Sequence, residues 1–179
     1  MSRSSGSRFR FGRAVAVVAV STALGAIAGG LPREQLIYTT LRPANKELYL
    51  FESGATALKA ITNDPALDYD ATFSPDGRWV VFCSERAGGA NLYAQDPTTD
   101  HPPQPLTRGP FMSASPTFTP DGKTLLFVSD RDGNADIFSM PFDPAHIAAA
   151  DVGQNLTHSP GGDYRPSVSP DGKIGRAHV

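Results

Sequence analysis

The chain has 179 residues, 40% hydrophobic and 19% charged, which is the make-up of a folded protein and not of a disordered or fibrous one. A formal net charge of -2, with no basic stripe or arginine cluster in the repeat region, excludes the electrostatic footprint of a nucleic-acid binder. The single cysteine rules out an intramolecular disulfide, and 17 glycines with 16 prolines predict a chain rich in turns.

Met1 to Arg13 carries Arg3, Arg8, Arg10 and Arg13 without an acid, and Ala14 to Ala28 is apolar apart from Ser21, Thr22 and Gly25. That is the layout of a secretory signal, with the small residues Ala26 and Ala28 at a cleavage position. Residues 1–28 are therefore read as a signal peptide or N-terminal anchor. The apolar run is short against the ~20 residues of a spanning helix, which favours cleavage. No adjacent arginine pair precedes the run and no cysteine follows it, so the general secretory route is expected. The expected location is exported, periplasmic or extracellular, with the membrane met only through this segment.

From residue 29 to residue 173 the chain repeats itself. Ala71-Thr-Phe-Ser-Pro-Asp-Gly77 returns as Pro116-Thr-Phe-Thr-Pro-Asp-Gly122 and as Pro166-Ser-Val-Ser-Pro-Asp-Gly172. In each, proline presets the first turn position, aspartate bonds the backbone and glycine relieves the exit, so each copy predicts a strand running into a tight turn. Aromatic anchors Tyr38, Phe82 and Phe127 are each followed four residues later by Arg42, Arg86 and Arg131. Eleven residues beyond each anchor stands Tyr49, Tyr93 or Phe138, behind Leu48, Leu92 or Ile137. Ile61-Thr62, Leu106-Thr107 and Leu156-Thr157 complete the pattern. Asp76 to Asp121 spans 45 residues and Asp121 to Asp171 spans 50, each period holding four short apolar or alternating runs and no helical periodicity. Four strands per forty-odd residues predict propeller blades. In the second full repeat they are expected at Ser115–Thr119, Thr124–Ser129, Asp136–Met140 and Gln154–Thr157.

The succession Ser-Pro-Asp-Gly, apolar strand, Ser-Asp-Arg-x-Gly, Ile-Phe, Leu-Thr resembles the WD40-like (PD40) repeat of the TolB-type six-bladed β-propellers, over about residues 35–173. The fold implied is all-β: a β-propeller of four-stranded antiparallel blades, with about three blades here and six in the full ring. The first blade lacks a Pro-Asp-Gly inner strand ahead of Gln35. After Lys173 the repeat breaks, and Ile174-Gly-Arg-Ala-His-Val179 is what ATC GGA AGA GCA CAC GTC encodes, the start of a widely used sequencing adapter. Residues 174–179 are accordingly expected to be a non-native adapter tail.

Asp130-Arg-Asp-Gly-Asn-Ala-Asp136 has the opening spacing of a calcium loop but no glutamate at its end. The homologous stretches keep the arginine and lose the carboxylates, which predicts a hairpin loop. Glu47, Asn91 and Asp136, five residues after each repeated arginine, are expected to meet it across the hairpin. His101, His146 and His158 fall in loop or turn sequence, no Gly-x-Ser-x-Gly occurs, and no metal-ligand spacing is present; no catalytic residue, cofactor or metal is expected. Lone Cys83 reads as a small buried strand residue, on the same face as Val81 and opposite Val80 and Phe82. The blades differ most where one leads into the next: Asp68-Tyr69-Asp70, Ser113-Ala114-Ser115 and Asp163-Tyr164-Arg165. Tyrosine flanked by charge is a recognition composition, so Asp68, Tyr69, Asp70, Asp163, Tyr164 and Arg165 are candidate residues for a protein or peptide partner. The resemblance implies an exported, non-catalytic scaffold like TolB of the Tol-Pal envelope system. The alternative is a gating or substrate-selecting propeller of a larger hydrolase of prolyl-oligopeptidase or tricorn type.

Overall fold

The computed structural model describes residues 18–21, 35–42, 45–147 and 153–178, with backbone alone at 18–21, 41–42 and 176–178. The arginines of the expected export signal and its expected cleavage position at Ala26 to Ala28 lie outside the described residues, as does the side chain of Arg42.

Three four-stranded antiparallel sheets and a final pair follow one another along the chain. The first contains β1 (Val18–Ser21), β2 (Gln35–Arg42), β3 (Asn45–Glu52) and β4 (Lys59–Ala60), in that order. The second contains β5 (Asp68–Phe73), β6 (Val80–Ser84), β7 (Asn91–Gln95) and β8 (Gln104–Pro105). In the third, β9 (Ser113–Phe118), β10 (Thr124–Ser129), β11 (Asp136–Pro141) and β12 (Gln154–Asn155) take the same order. A hairpin of β13 (Asp163–Val168) and β14 (Ile174–His178) opens the next blade. The four strands expected in the second full repeat are present, but the first is shifted to Ser113–Phe118, the third runs on to Pro141 and the last is only Gln154–Asn155. The first blade departs from expectation: its inner position, left empty by the sequence pattern, is occupied by β1, whose Val18 faces Tyr38 and Ser21 faces Gln35.

The two central strands of the second and third blades are buried on both faces because blades stack sheet on sheet. Val81 and Cys83 face one cluster, with Leu125, Phe127, Phe138 and Met140 of the following blade. Val80 and Phe82 face the other, with Ile37, Leu48 and Leu50 of the preceding one. The alternation read from the strand thus sorts its side chains between two interblade cores, and Cys83 is fully buried.

The Pro-Asp-Gly turns close by one device. Trp79 N donates to Ser74 Oγ at 3.0 Å and Arg78 N to Asp76 Oδ1 at 3.1 Å, with Gly77 at φ 70°. Thr124 N, Lys123 N and Gly122 repeat this on Thr119 and Asp121. In the third copy Lys173 N reaches Ser169 Oγ, so this turn closes one residue sooner than the others.

The repeated threonine has an equally plain reason. Thr62, Thr107 and Thr157 each accept the backbone N–H of Leu48, Leu92 or Ile137, at 3.0, 2.9 and 3.1 Å. Their hydroxyls donate in turn to Glu47, Asn91 and Asp136. An outer strand only two residues long is thereby clamped to its neighbour.

Candidate partner-binding face

Where one blade passes to the next, the chain enters an inner strand, and β5, β9 and β13 open with the same three-layer arrangement. The first residue of each is buried: Asp68, Ser113 and Asp163. The second is Tyr69, Ala114 or Tyr164, and the third takes a left-handed backbone although none is glycine: Asp70, Ser115 and Arg165 all have φ 52°. Register explains the geometry. Tyr69 opposes Cys83 while Thr72 opposes Val81, so the inner strand carries one extra residue; Ala114 to Thr117 and Tyr164 to Ser167 repeat the shift. Such a bulge bends the strand and re-aims the side chains at the bend.

The buried layer holds the blade together. Asp68 accepts both of its bonds from Arg86 Nη2, at 3.1 Å each, while Arg86 Nε donates to Ser84 Oγ at 2.8 Å. The guanidinium also lies 4.8 Å from the ring centre of Tyr93 and 5.6 Å from that of Phe82. The expectation that Arg86 would bond across its hairpin to Asn91 is corrected here. Its partner is the carboxylate of the inner strand, because Asn91 is turned toward Thr107 and Gly89. In the next blade Arg131 donates to Ser129 at 3.2 Å and to Ser113 at 3.5 Å, and stacks on Phe127 and Phe138. The arginine is therefore a bridge between inner strand and central hairpin, over an aromatic pair.

Of the six candidate residues, Asp68 and Asp163 have no surface to offer a partner. Tyr164 is 41% exposed, its ring lying against Gly162, where an added Cβ would come within 2.7 Å of the ring. Tyr69 is half-buried; its hydroxyl donates to Glu85 Oε1 at 3.2 Å, and Lys46 of the preceding blade sits 5.1 Å from its ring centre. Burial first, then the neighbouring Cys83 and Glu85, push its phenol well above the ordinary tyrosine range. Asp70 meets Ser115 of the next blade, whose Oγ donates to Asp70 Oδ2 at 3.3 Å. Arg165 is exposed. The sequence pattern singled out neither Lys46, Glu85 nor Ser115. Only the equal offset of Ser115 in the repeat signalled it, since a Ser-Ala-Ser segment carries no charge or aromatic.

The Asp130 to Asp136 segment forms the β10–β11 hairpin loop, and its carboxylates are held by protein donors. Met112 N bonds Asp130 at 2.8 Å, and Asn155 Nδ2 bonds Asp132 at 3.0 Å and Asp136 at 2.9 Å. Burial works against the charge of Asp136, but bonds from Asn155, Ser159 N and Thr157 outweigh it and hold the carboxyl below its usual range. Among the described residues no group of three or more His, Cys, Asp or Glu side chains is placed to hold a metal ion. At the opposite end of the inner strands a groove of about 510 Å³ lies between successive Pro-Asp-Gly turns, walled by Pro75, Trp79, Pro120 and Phe142. Phe142 there packs edge-on against Trp79 and Phe118.

No family model matches the chain. Over 48 residues, 26% of the chain, it is 35% identical to the Tol-Pal system protein TolB of Bordetella pertussis, a stretch that makes up 11% of that protein. Among solved structures it is similar to a TolB protein of Agrobacterium tumefaciens, with 23% identity and a TM-score of 0.67 over 81% of this chain and 50% of that one. It is also similar to TolB of Acinetobacter baumannii, at 25% identity and a TM-score of 0.60, covering 78% of this chain and 34% of that one. The chain thus spans half the length of the first of these structures and a third of the second. A weaker likeness, at 14% identity and a TM-score of 0.56, links it to a puromycin-hydrolyzing peptidase of Mycobacterium tuberculosis, covering 81% of this chain and 25% of that one. It carries the fold alone.

Proposed function

We propose that this chain, a TolB-like β-propeller, serves as an exported, periplasmic, non-catalytic scaffold that binds a protein or peptide partner through the face bearing Tyr69 and Tyr164. The observation that carries this reading is the stretch of 48 residues 35% identical to the Tol-Pal system protein TolB of Bordetella pertussis, and both TolB structures also superpose better than the peptidase, at 0.67 and 0.60 against 0.56. The curated relatives are named as Tol-Pal system proteins, and a partner within an envelope assembly of that type is the corresponding expectation. The chemistry of the face supports it. The residues shared by all blades are consumed in holding blades together, whereas the exposed Tyr164 and Arg165 and the half-buried Tyr69 differ from blade to blade. Tyrosine and arginine supply large contact area with a polar end, the composition enriched at protein interfaces. The rival reading, a gating domain of a larger hydrolase, rests on a likeness of 14% identity, which carries no activity.

The test places a photo-crosslinking phenylalanine analogue at Tyr164 in cells, with Lys123 on the opposite face as control. One dominant adduct with an envelope protein, seen from position 164 and not from 123, is the expected result. Identical adducts from both positions, or retention of the chain in the cytoplasmic fraction, would refute the proposal.

A further inference from the structure

Asp70, Ser115 and Arg165 hold one strained backbone conformation at one place in three successive inner strands. Glycine enters that region freely, and a side chain there works against the backbone. A bulge needed only for shape would be served by glycine in every blade; here all three positions keep a side chain, and the three are chemically different. Strain retained in this way clusters where side chains are used. The layer beneath, Asp68, Ser113 and Asp163, is buried, whereas Asp70 and Ser115 are half-buried and Arg165 is exposed.

Two contacts define the surface. Ser115 Oγ donates to Asp70 Oδ2 at 3.3 Å across the blade boundary, which puts both side chains on one continuous wall and fixes the carboxylate there. One blade on, at the same bulge position, Arg165 is exposed, and among the described residues no acid pairs with it. The three successive bulge positions thus present an anion, a hydroxyl and an exposed guanidinium. A guanidinium fork matches a carboxylate, and a carboxylate matches an ammonium or guanidinium.

We infer that Asp70, Ser115 and Arg165 form a dipolar arc that binds a peptide segment of the partner carrying both charges, its carboxylate on Arg165 and its cationic group on Asp70. The inference rests on the partner-binding reading above and specifies which part of the partner is read. Ser115 is a positioning residue, acting through Asp70.

The experiment titrates the full chain, by NMR, with the N-acetylated, C-amidated pentapeptide Lys-Gly-Ser-Gly-Glu and with its neutral counterpart Gln-Gly-Ser-Gly-Gln, capped in the same way. The charged peptide is expected to shift the amide signals of residues 70, 115 and 165, and the neutral one to leave them in place. Asp70→Arg alone and Arg165→Asp alone should each weaken binding about tenfold or more, the scale of one charge-assisted bond lost. The double variant Asp70→Arg with Arg165→Asp should restore it, since the same peptide then binds in the reversed direction. A chain that merely lost its fold would not be rescued by a second change, so rescue separates recognition from stability. Equal binding of both peptides, or single variants that bind as the original does, overturns the arc. Crosslinking from position 164 that survives both single variants leaves the scaffold reading standing and removes this inference alone.

Discussion

Replacing Arg86 by alanine tests whether the shared arginine is a structural bridge. Asp68 is fully buried, and Arg86 Nη2 reaches both of its oxygens at 3.1 Å. Truncating the arginine leaves that carboxylate without its counter-charge inside the blade, a change that costs about 3–5 kcal/mol in comparable buried pairs. Arg86 keeps 18% of its side chain exposed, so water can partly replace it and the expected loss is nearer about 3 kcal/mol. Lost stacking on Phe82 and Tyr93 adds to this, at about 0.5–1 kcal/mol. The double variant Arg86→Ala with Asp68→Asn removes the stranded charge, and should recover at least about half of the loss because the remaining groups pay little for burial. Equilibrium urea unfolding reads the difference through Trp79, the single tryptophan. If the double variant is destabilised by the sum of the two single changes, the pair is uncoupled and the bridge account fails.

Thr107→Val should cost about 1–3 kcal/mol, because the Leu92 N–H held at 2.9 Å is left unpaired in a buried place, whereas Thr107→Ser should come close to the original. Equal urea midpoints for valine and serine would count against the clamp. Burial pushes the Cys83 thiol up to about 12, despite the neighbouring Tyr69 hydroxyl, which lowers it. Its contribution is complete below the unfolded thiol value and is lost as pH rises toward 12, at about 1.4 kcal/mol per pH unit, so Cys83→Ala should flatten the alkaline limb of stability. Superposable alkaline limbs would show that the thiol is not buried. Asp136 has the opposite sign: its carboxyl is held below the usual range, so its contribution is present above the unfolded value and disappears as pH falls through the folded one. Asp136→Asn should be less stable at about neutral pH and lose less on acidification, and an acid-unfolding midpoint unchanged from the original would refute this.

The strands were legible because burial on both faces of a blade leaves a strong mark. Val80 to Ser84 and Thr124 to Ser129 are apolar where two blades sandwich them, and the Pro-Asp-Gly turns punctuate them. The threonine of each Leu-Thr pair was visible as a repeat without its reason, since a side chain bonding a backbone N–H fifteen residues away has no local pattern. For Arg86 the expected partner, Asn91, is the wrong one for the same cause. Sequence distance favours the hairpin five residues on, while the bulge at Tyr69 to Thr72 swings Asp68 under the guanidinium from eighteen residues away. The candidate face was located by what differs between blades, but composition could not separate the buried Asp68 and Asp163 from the exposed Tyr164 and Arg165. Alternation alone would give that separation in a regular strand, and the extra residue of the bulge is what disrupts it.

The first blade puts the expected export signal and the structure in direct relation. β1 comes from residues 18–21, inside the segment with the layout of an export signal, and it covers β2 from Gln35 to Tyr38. Cleavage near Ala28 would remove that strand and leave the N–H and C=O groups of β2 unpaired along its inner side, the kind of edge that recruits another chain. In the other blades the inner strand always runs antiparallel to the strand that follows it, as β5 does to β6 and β9 to β10. A strand that takes the place of β1 after cleavage must therefore run antiparallel to β2 and lie opposite Gln35 to Tyr38. Without it, the first blade and the Lys46 that it holds over Tyr69 would rest on a hairpin open at its inner edge. Integrity of the candidate face and closure of the first blade are in this way one structural requirement.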